Sequence, residues 1–370
     1  MDNLLNATVG PNLSATTATP NPWYGIYGFQ RTIEIVYLVC IILLGTLGNM
    51  LVICSIKSAS RTHVSGNIFI VNLAVADLLV TAVLVPCVLA NVIATENTLP
   101  NFACRVVAFL MSTACACSIH SLAAIAINRY WAIVRPCSYP RVFSKKNTRI
   151  MVCGIWVWTC IPFVPAIMLA EQPYDYMIME CLWDDKFSNS YTISLVALLM
   201  VVPFIVICLC YERLYHIVKK RSKWLMAQGS LENNTTMTEA ALDRDIRLLK
   251  TVAVIITAYM LFWMPYGVMI IAGKLYIPPV AKKIIGWMAF SNSAVNFIIY
   301  GVMNKSSREN YKHFLIRLLR GEFCGKAKPP TPNISVYTMN SPAGQRKFNT
   351  QATMVESRRE KQLVHKLNVV

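Results

Sequence analysis

Long apolar stretches alternate with short polar ones along most of the chain. Seven such stretches are read near Ile33–Ile56, Ile68–Ile93, Val106–Ile127, Ile150–Ala170, Tyr191–Cys210, Thr251–Gly273 and Ile284–Met303. Each is about 20 residues or more and is flanked by polar or charged residues, the length at which a helix crosses the hydrocarbon core of a bilayer. The expected fold is an all-α membrane protein, a bundle of seven transmembrane helices. After the last stretch, Lys305–Arg320 is amphipathic and basic, with Tyr311, Phe314, Leu315, Leu318 and Leu319 on one face. That pattern predicts a short helix lying along the membrane surface. The chain therefore divides into a disordered N-terminal segment (1–30), the seven-helix domain (31–304), the surface helix (305–320) and a disordered tail (321–370). The polar link Ser222–Leu242 between the fifth and sixth stretches is expected to be flexible.

Composition sharpens this picture. Apolar residues make up 55% of the chain and charged residues 14%, against about 25% charged in ordinary soluble chains. The net charge of +17 is explained by basic residues gathered on the cytoplasmic side, so no nucleic-acid partner is expected. The loop after the third stretch carries Arg135, Arg141, Lys145, Lys146 and Arg149 without an acid, and the end of the fifth carries Arg213, Lys219, Lys220, Arg221 and Lys223. The segment Glu171–Lys186 is acidic, with Glu171, Asp175, Glu180, Asp184 and Asp185. The charge bias places the N-terminus outside the cell and the C-terminus in the cytoplasm of a plasma-membrane protein, although Lys274, Lys282 and Lys283 run against it. The first 30 residues show no apolar core of a cleavable signal peptide. With this orientation Asn6 and Asn12 head usable glycosylation triplets, whereas Asn233 and Asn234 stay bare. Cys324 is a palmitoylation candidate just past the surface helix. Most of the 13 cysteines fall inside apolar helices. Only Cys104 and Cys181 face the oxidising side, and they are expected to be bonded.

Polar residues inside membrane helices are costly and mark functional positions. Asn49, Asp77, Ser118, Asn292, Ser293 and Asn296 are of this kind. Either they satisfy a buried, protonated Asp77, or they line a water-filled pocket that holds a cation such as Na⁺. On the third helix Met111, Cys115, Ser118, Leu122, Ile125 and Arg129 form one seam at helical spacing. Arg129, flanked by Asn128 and Tyr130, has no local acid; it either pairs with Asp245 at the base of helix six or meets lipid phosphate. Pro265 in Phe262-Trp263-Met264-Pro265 kinks helix six, Pro203 marks a second such point with Tyr211 below it, and Asn296 and Tyr300 share a face of helix seven.

Together these residues resemble the rhodopsin-like family of G-protein-coupled receptors over essentially the whole chain. The resemblance rests on Gly48-Asn49, Leu73-Ala-Val-Ala-Asp77, Cys104 with Cys181, Arg129-Tyr130, Trp156, Pro203 with Tyr211, Trp263-x-Pro265 and Asn296-x-x-x-Tyr300. It implies a ligand pocket at the outer end, outward movement of helix six to admit a heterotrimeric G protein, and a sodium pocket at Asp77, Ser118 and Asn292, joined by the adjacent Ser293. Within that family the chain looks like the melatonin-receptor branch, through Gly66-Asn-Ile-Phe69, Phe109-Leu-Met111, Ile125-Ala-Ile-Asn-Arg-Tyr130, Ser144-Lys-Lys-Asn147, Asn292-Ser293 and Ile298-Ile-Tyr-Gly301. That branch implies coupling to Gi/o and inhibition of adenylate cyclase, with arrestin and a receptor kinase meeting the tail. Phe297 departs from the proline of the wider family.

The ligand contacts differ from the scaffold. Where melatonin receptors carry Asn, Gln and His, the aligned residues are Ala166, Asp185 and Leu199. The helix-three Asp of aminergic receptors is replaced by Met111, and the retinal-binding Lys of opsins by Phe290, so no retinal is expected. Met111, Cys115, Asp185, Leu199, Trp263 and Tyr266 are the expected pocket residues. The expected function is that of a melatonin-receptor-like receptor, the alternatives being a receptor for another small molecule or peptide, or a transporter. No enzyme is expected, since the His residues are scattered without metal-ligand spacing.

Overall fold

The computed structural model describes residues 23–58, 65–169, 174–176, 178–182, 189–228, 235–272, 277–303 and 305–320. Helix α1 spans Trp23–Ser58, α2 Gly66–Ala94 and α3 Asn101–Val134. Helix α4 runs as Lys145–Cys160, a 3-10 turn at Ile161–Phe163 and a last stretch Val164–Leu169. A two-stranded antiparallel hairpin follows, β1 (Tyr174–Asp175) against β2 (Glu180–Cys181), with Tyr174 opposite Cys181 and Asp175 opposite Glu180. Helix α5 comprises Asn189–Val196, a π-helical stretch Ala197–Val201, and Val202–Gln228. Helices α6 (Thr235–Ala272), α7 (Pro279–Met303) and α8 (Lys305–Leu319) complete the described chain.

By length and composition six helices could cross a membrane: α1, α2, α3, α5, α6 and α7. The seventh crossing is α4, whose longest unbroken α-helical piece has 16 residues because Pro162 and Pro165 interrupt the hydrogen-bond ladder. Its surface follows the same rule as the others. Val157, Trp158 and Ile161 of α4 are exposed, as are Leu43, Leu44 and Leu47 of α1, and Leu261 and Val268 of α6. Apolar side chains outside and Asn, Ser and Asp inside is the arrangement a lipid solvent selects. The π-helical stretches of α2 (Leu79–Leu84) and α5 (Ala197–Val201) each lie just ahead of a proline, Pro86 and Pro203, whose missing N–H cannot close the ordinary helical bond.

Two sequence expectations are corrected. Helix α1 begins at Trp23, inside the segment expected to be disordered up to residue 30, because Pro22 is the last proline of that segment and an aromatic, apolar run follows it. The link Ser222–Leu242 is largely helical: α5 continues to Gln228 and α6 starts at Thr235. Polarity marks where the bilayer ends, whereas runs such as Trp224-Leu-Met-Ala and Glu239-Ala-Ala-Leu retain high helix propensity beyond it.

Cross-helix polar contacts set the packing. Trp156 of α4 donates its indole N–H to Asn72 Oδ1 of α2 at 2.9 Å, and Asn72 Nδ2 donates to Ser121 Oγ of α3 at 2.8 Å. Asn49 Nδ2 of α1 donates to the Ser293 carbonyl of α7 at 2.9 Å. Lys283, one of the lysines that ran against the charge bias, pairs with Glu34 of α1 at 2.9 Å and lies over the Trp287 ring. In α8, Tyr311 and Ile316 turn inward, while Leu315 and Leu319 remain exposed.

Candidate functional site

The Cys104–Cys181 disulfide, with Cα atoms 5.3 Å apart, ties β2 to the first turn of α3. The hairpin is held further by Trp287 Nε1 donating to the Ile178 carbonyl at 3.1 Å and Asn91 Nδ2 to the Met179 carbonyl at 3.4 Å. It thereby forms the lid of a cavity between α3, α5, α6 and α7. About 640 Å³ of space is empty there, the open mouth included. Met111, Cys115, Leu199, Trp263 and Tyr266, all expected in the pocket, line this cavity together with Ser112, Phe163, Glu180, Leu195 and Phe290. Trp263 lies at the Pro265 turn with its ring 6.0 Å from that of Tyr266, and its indole nitrogen is buried without a hydrogen-bond partner among the described residues.

Glu180 was not singled out in the sequence. It is 3% exposed and its side chain borders the cavity. Burial, and secondarily the negative charge of Asp175 across the hairpin, push its carboxyl up to about 8. The available signal was its place next to Cys181: a disulfide to the top of α3 draws the preceding residue over the bundle axis as well.

Below the cavity lies a buried polar cluster. Ser118 Oγ donates to Asp77 Oδ1 at 2.9 Å and Asn296 Nδ2 to Asp77 Oδ2 at 2.8 Å, joining α2, α3 and α7. The buried Ser293 hydroxyl lies close to the Asp77 carboxyl as well. Asn292 is buried beside them, its Nδ2 without a partner among the described residues.

At the far end of α3, Asn128 is fully buried and its Nδ2 donates to Tyr139 Oη at 3.2 Å. Tyr139 belongs to the helical turn Tyr139–Val142, which packs through Phe143 onto Phe69 and Trp131. The residue beside Arg129 thus fastens the loop rather than the arginine. The Arg129 guanidinium interacts electrostatically with Tyr211 of α5 and Tyr300 of α7, and Tyr130 is half-buried next to it. Around this end Arg135, Arg141, Lys145, Lys146 and Arg149 are all exposed. The expected pairing of Arg129 with Asp245 falls on a side chain outside the described residues, as do the expectations for Asp185, Cys324, Asn6 and Asn12.

Known proteins share this arrangement. The profile of the family described as "7 transmembrane receptor (rhodopsin family)" matches residues 48–300. Melatonin receptor type 1A of Phodopus sungorus is 31% identical over 294 residues, 78% of this chain and 81% of the relative. Melatonin receptor type 1C of Gallus gallus is 31% identical over 288 residues, 76% of this chain and 81% of the relative. Melatonin receptor type 1A of Mus musculus is 30% identical over 325 residues, covering 86% and 88% of the two chains. With seven helices, the bonded hairpin and the Asp77 and Arg129 clusters in family order, the chain belongs to the rhodopsin family of seven-transmembrane receptors.

Proposed function

We propose that this receptor takes a small molecule in the cavity under the hairpin and inhibits adenylate cyclase through a Gi/o protein. The observation that carries the ligand class is the cavity capped by β2, lined mostly by apolar and aromatic side chains with a few polar groups, the make-up of a small-molecule site. The N-terminus and the hairpin face outside in this reading, and the basic end around Arg129 faces the cytoplasm, as the charge bias argues. Similarity to melatonin receptors supports the choice of Gi/o. The ligand differs from melatonin in its polar contacts, since Leu199 enters the cavity as an apolar side chain where that branch carries His. The tail and α8 serve arrestin, receptor kinases and the inner lipid surface.

The test is cyclic AMP in forskolin-stimulated cells. Cells expressing the chain are expected to hold less cyclic AMP than mock cells without any ligand, and Arg129→Ala is expected to restore the mock level. Equal levels in wild-type and Arg129→Ala cells would remove Arg129 from the coupling face. Melatonin is added in a parallel arm, where no further drop is expected.

The Asp77 cluster supports a sodium site. Its carboxylate and the hydroxyls of Ser118 and Ser293 are the hard oxygen donors that such a cation takes. Held there, Na⁺ supplies charge that the Asp77 carboxylate balances in one packing of α2, α3 and α7. Replacing Na⁺ by choline in membranes is expected to raise ligand-free GTPγS binding by roughly fivefold, the low end of ordinary coupling free energies. Asp77→Asn is expected to abolish that dependence; persistence of the sodium effect in this variant would place the cation elsewhere.

A further inference from the structure

Among the described residues lining the cavity none is Lys, Arg or His, and Glu180 is the only carboxyl. No hydrogen bond or ion pair engages the Glu180 carboxyl among the described residues, although the side chain is almost wholly out of water. The carboxyl borders the cavity instead of being sealed inside protein, so a group that enters the cavity can reach it. The surroundings of Glu180 specify that group's charge. Asp175 faces it from β1, and Cys115 of α3 and Tyr266 of α6 lie within its electrostatic reach. None of these described groups is basic, so a cation entering the cavity is the partner that would favour the ionised Glu180 carboxyl.

Resting on the small-molecule reading above, we infer that Glu180 is the counter-ion of the ligand and that the ligand is a small protonated amine with an apolar body. The apolar part fits against Met111, Leu199 and Phe290, while the ammonium group donates to the Glu180 carboxylate from inside the cavity. The sequence argument against amine ligands turned on Met111 standing where aminergic receptors carry Asp. The structure supplies the carboxylate from the hairpin, on the strand that the disulfide pins over α3. An amide such as melatonin lacks the charge this site is built to neutralise.

The experiment measures the melting temperature of the full-length receptor, purified in detergent, with tryptamine, phenethylamine and amantadine, each beside its N-acetyl derivative. Ligand is used at about 1 mM, enough to reveal millimolar affinity. At least one amine is expected to raise the melting temperature by several degrees, and its N-acetyl derivative to leave it unchanged. Glu180→Gln, nearly isosteric, is expected to weaken that amine by about 30-fold or more. Glu180→Asp, which keeps the charge on a shorter arm, is expected to fall in between, and the unliganded melting curves show that both variants are folded. Equal shifts by amine and amide, unchanged amine affinity in Glu180→Gln, or no shift by any of the amines would each overturn the inference. This readout needs no G protein, whereas the forskolin comparison of Arg129 variants needs no ligand, so failure of one leaves the other standing.

Discussion

Cys181→Ser is expected to remove most of the receptor from the cell surface. The bond it breaks spans 77 residues of sequence and closes a loop that includes α3, α4 and β1. Losing such a cross-link typically costs 2–5 kcal/mol, a large part of the stability of an ordinary domain. The hairpin has little else to replace it. Its ladder is two residue pairs long, and Met179 in its turn sits at φ 58°, a left-handed conformation that a non-glycine side chain resists. The hydrogen bonds from Trp287 and Asn91 reach backbone carbonyls of that same turn, so they depend on the strained geometry that the disulfide maintains. Surface labelling of an N-terminally tagged receptor checks this. Cys104→Ser, Cys181→Ser and the double variant are expected to fall together to about a tenth of wild type or less, because each removes the same cross-link. Normal surface levels in Cys181→Ser would show that packing alone secures the hairpin.

Gly48→Ala is expected to be nearly as damaging, and Phe297→Ala to rescue it. Gly48 is buried on α1, and a Cβ built there collides with the Phe297 ring of α7, the base of the ring included. The two helices approach closely at this level because Asn49, the next residue, donates to the Ser293 carbonyl. Forcing a methyl group into such a contact costs about 1–3 kcal/mol, or pushes the helices apart and strains that hydrogen bond. The wider family's proline at position 297 is absent, α7 runs unbroken to Met303, and a phenyl ring occupies the space against α1 instead. Because the two positions share one contact, their effects are coupled. The double variant Gly48→Ala/Phe297→Ala is expected to melt above Gly48→Ala, and additive losses in the three melting temperatures would dissolve the pairing. Phe297 therefore reads as the partner of a glycine rather than as an isolated departure.

Much of this molecule was legible before any coordinates. Runs of about 20 apolar residues count the spans. The cysteine pair followed from the same topology. The helix ends were harder, since α5 and α6 continue past the apolar runs on polar residues that still favour helix. At the α3 terminus, Asn128 drew attention as a missing acid beside Arg129. Its partner, Tyr139, sits 11 residues along in the following loop, and no helical periodicity connects the two. Glu180 reads from the sequence as one more solvated charge in an acidic loop; only the hairpin's fold over the bundle shows it buried.

The sequence by itself determined the solvent, the number of crossings and the positions where polar atoms must find partners inside. These are properties of short windows: segment length against bilayer thickness, charge at segment ends, and polar residues at apolar positions. Only the tertiary structure decided which of those atoms meet. Asn72 with Ser121 and Trp156, Asp77 with Ser118 and Asn296, Lys283 with Glu34, and Glu180 with the cavity each join residues from different elements. Such meetings depend on how each helix is rotated and how closely neighbours cross. Those quantities are set by the packing of all seven helices at once, and no single stretch of sequence contains them.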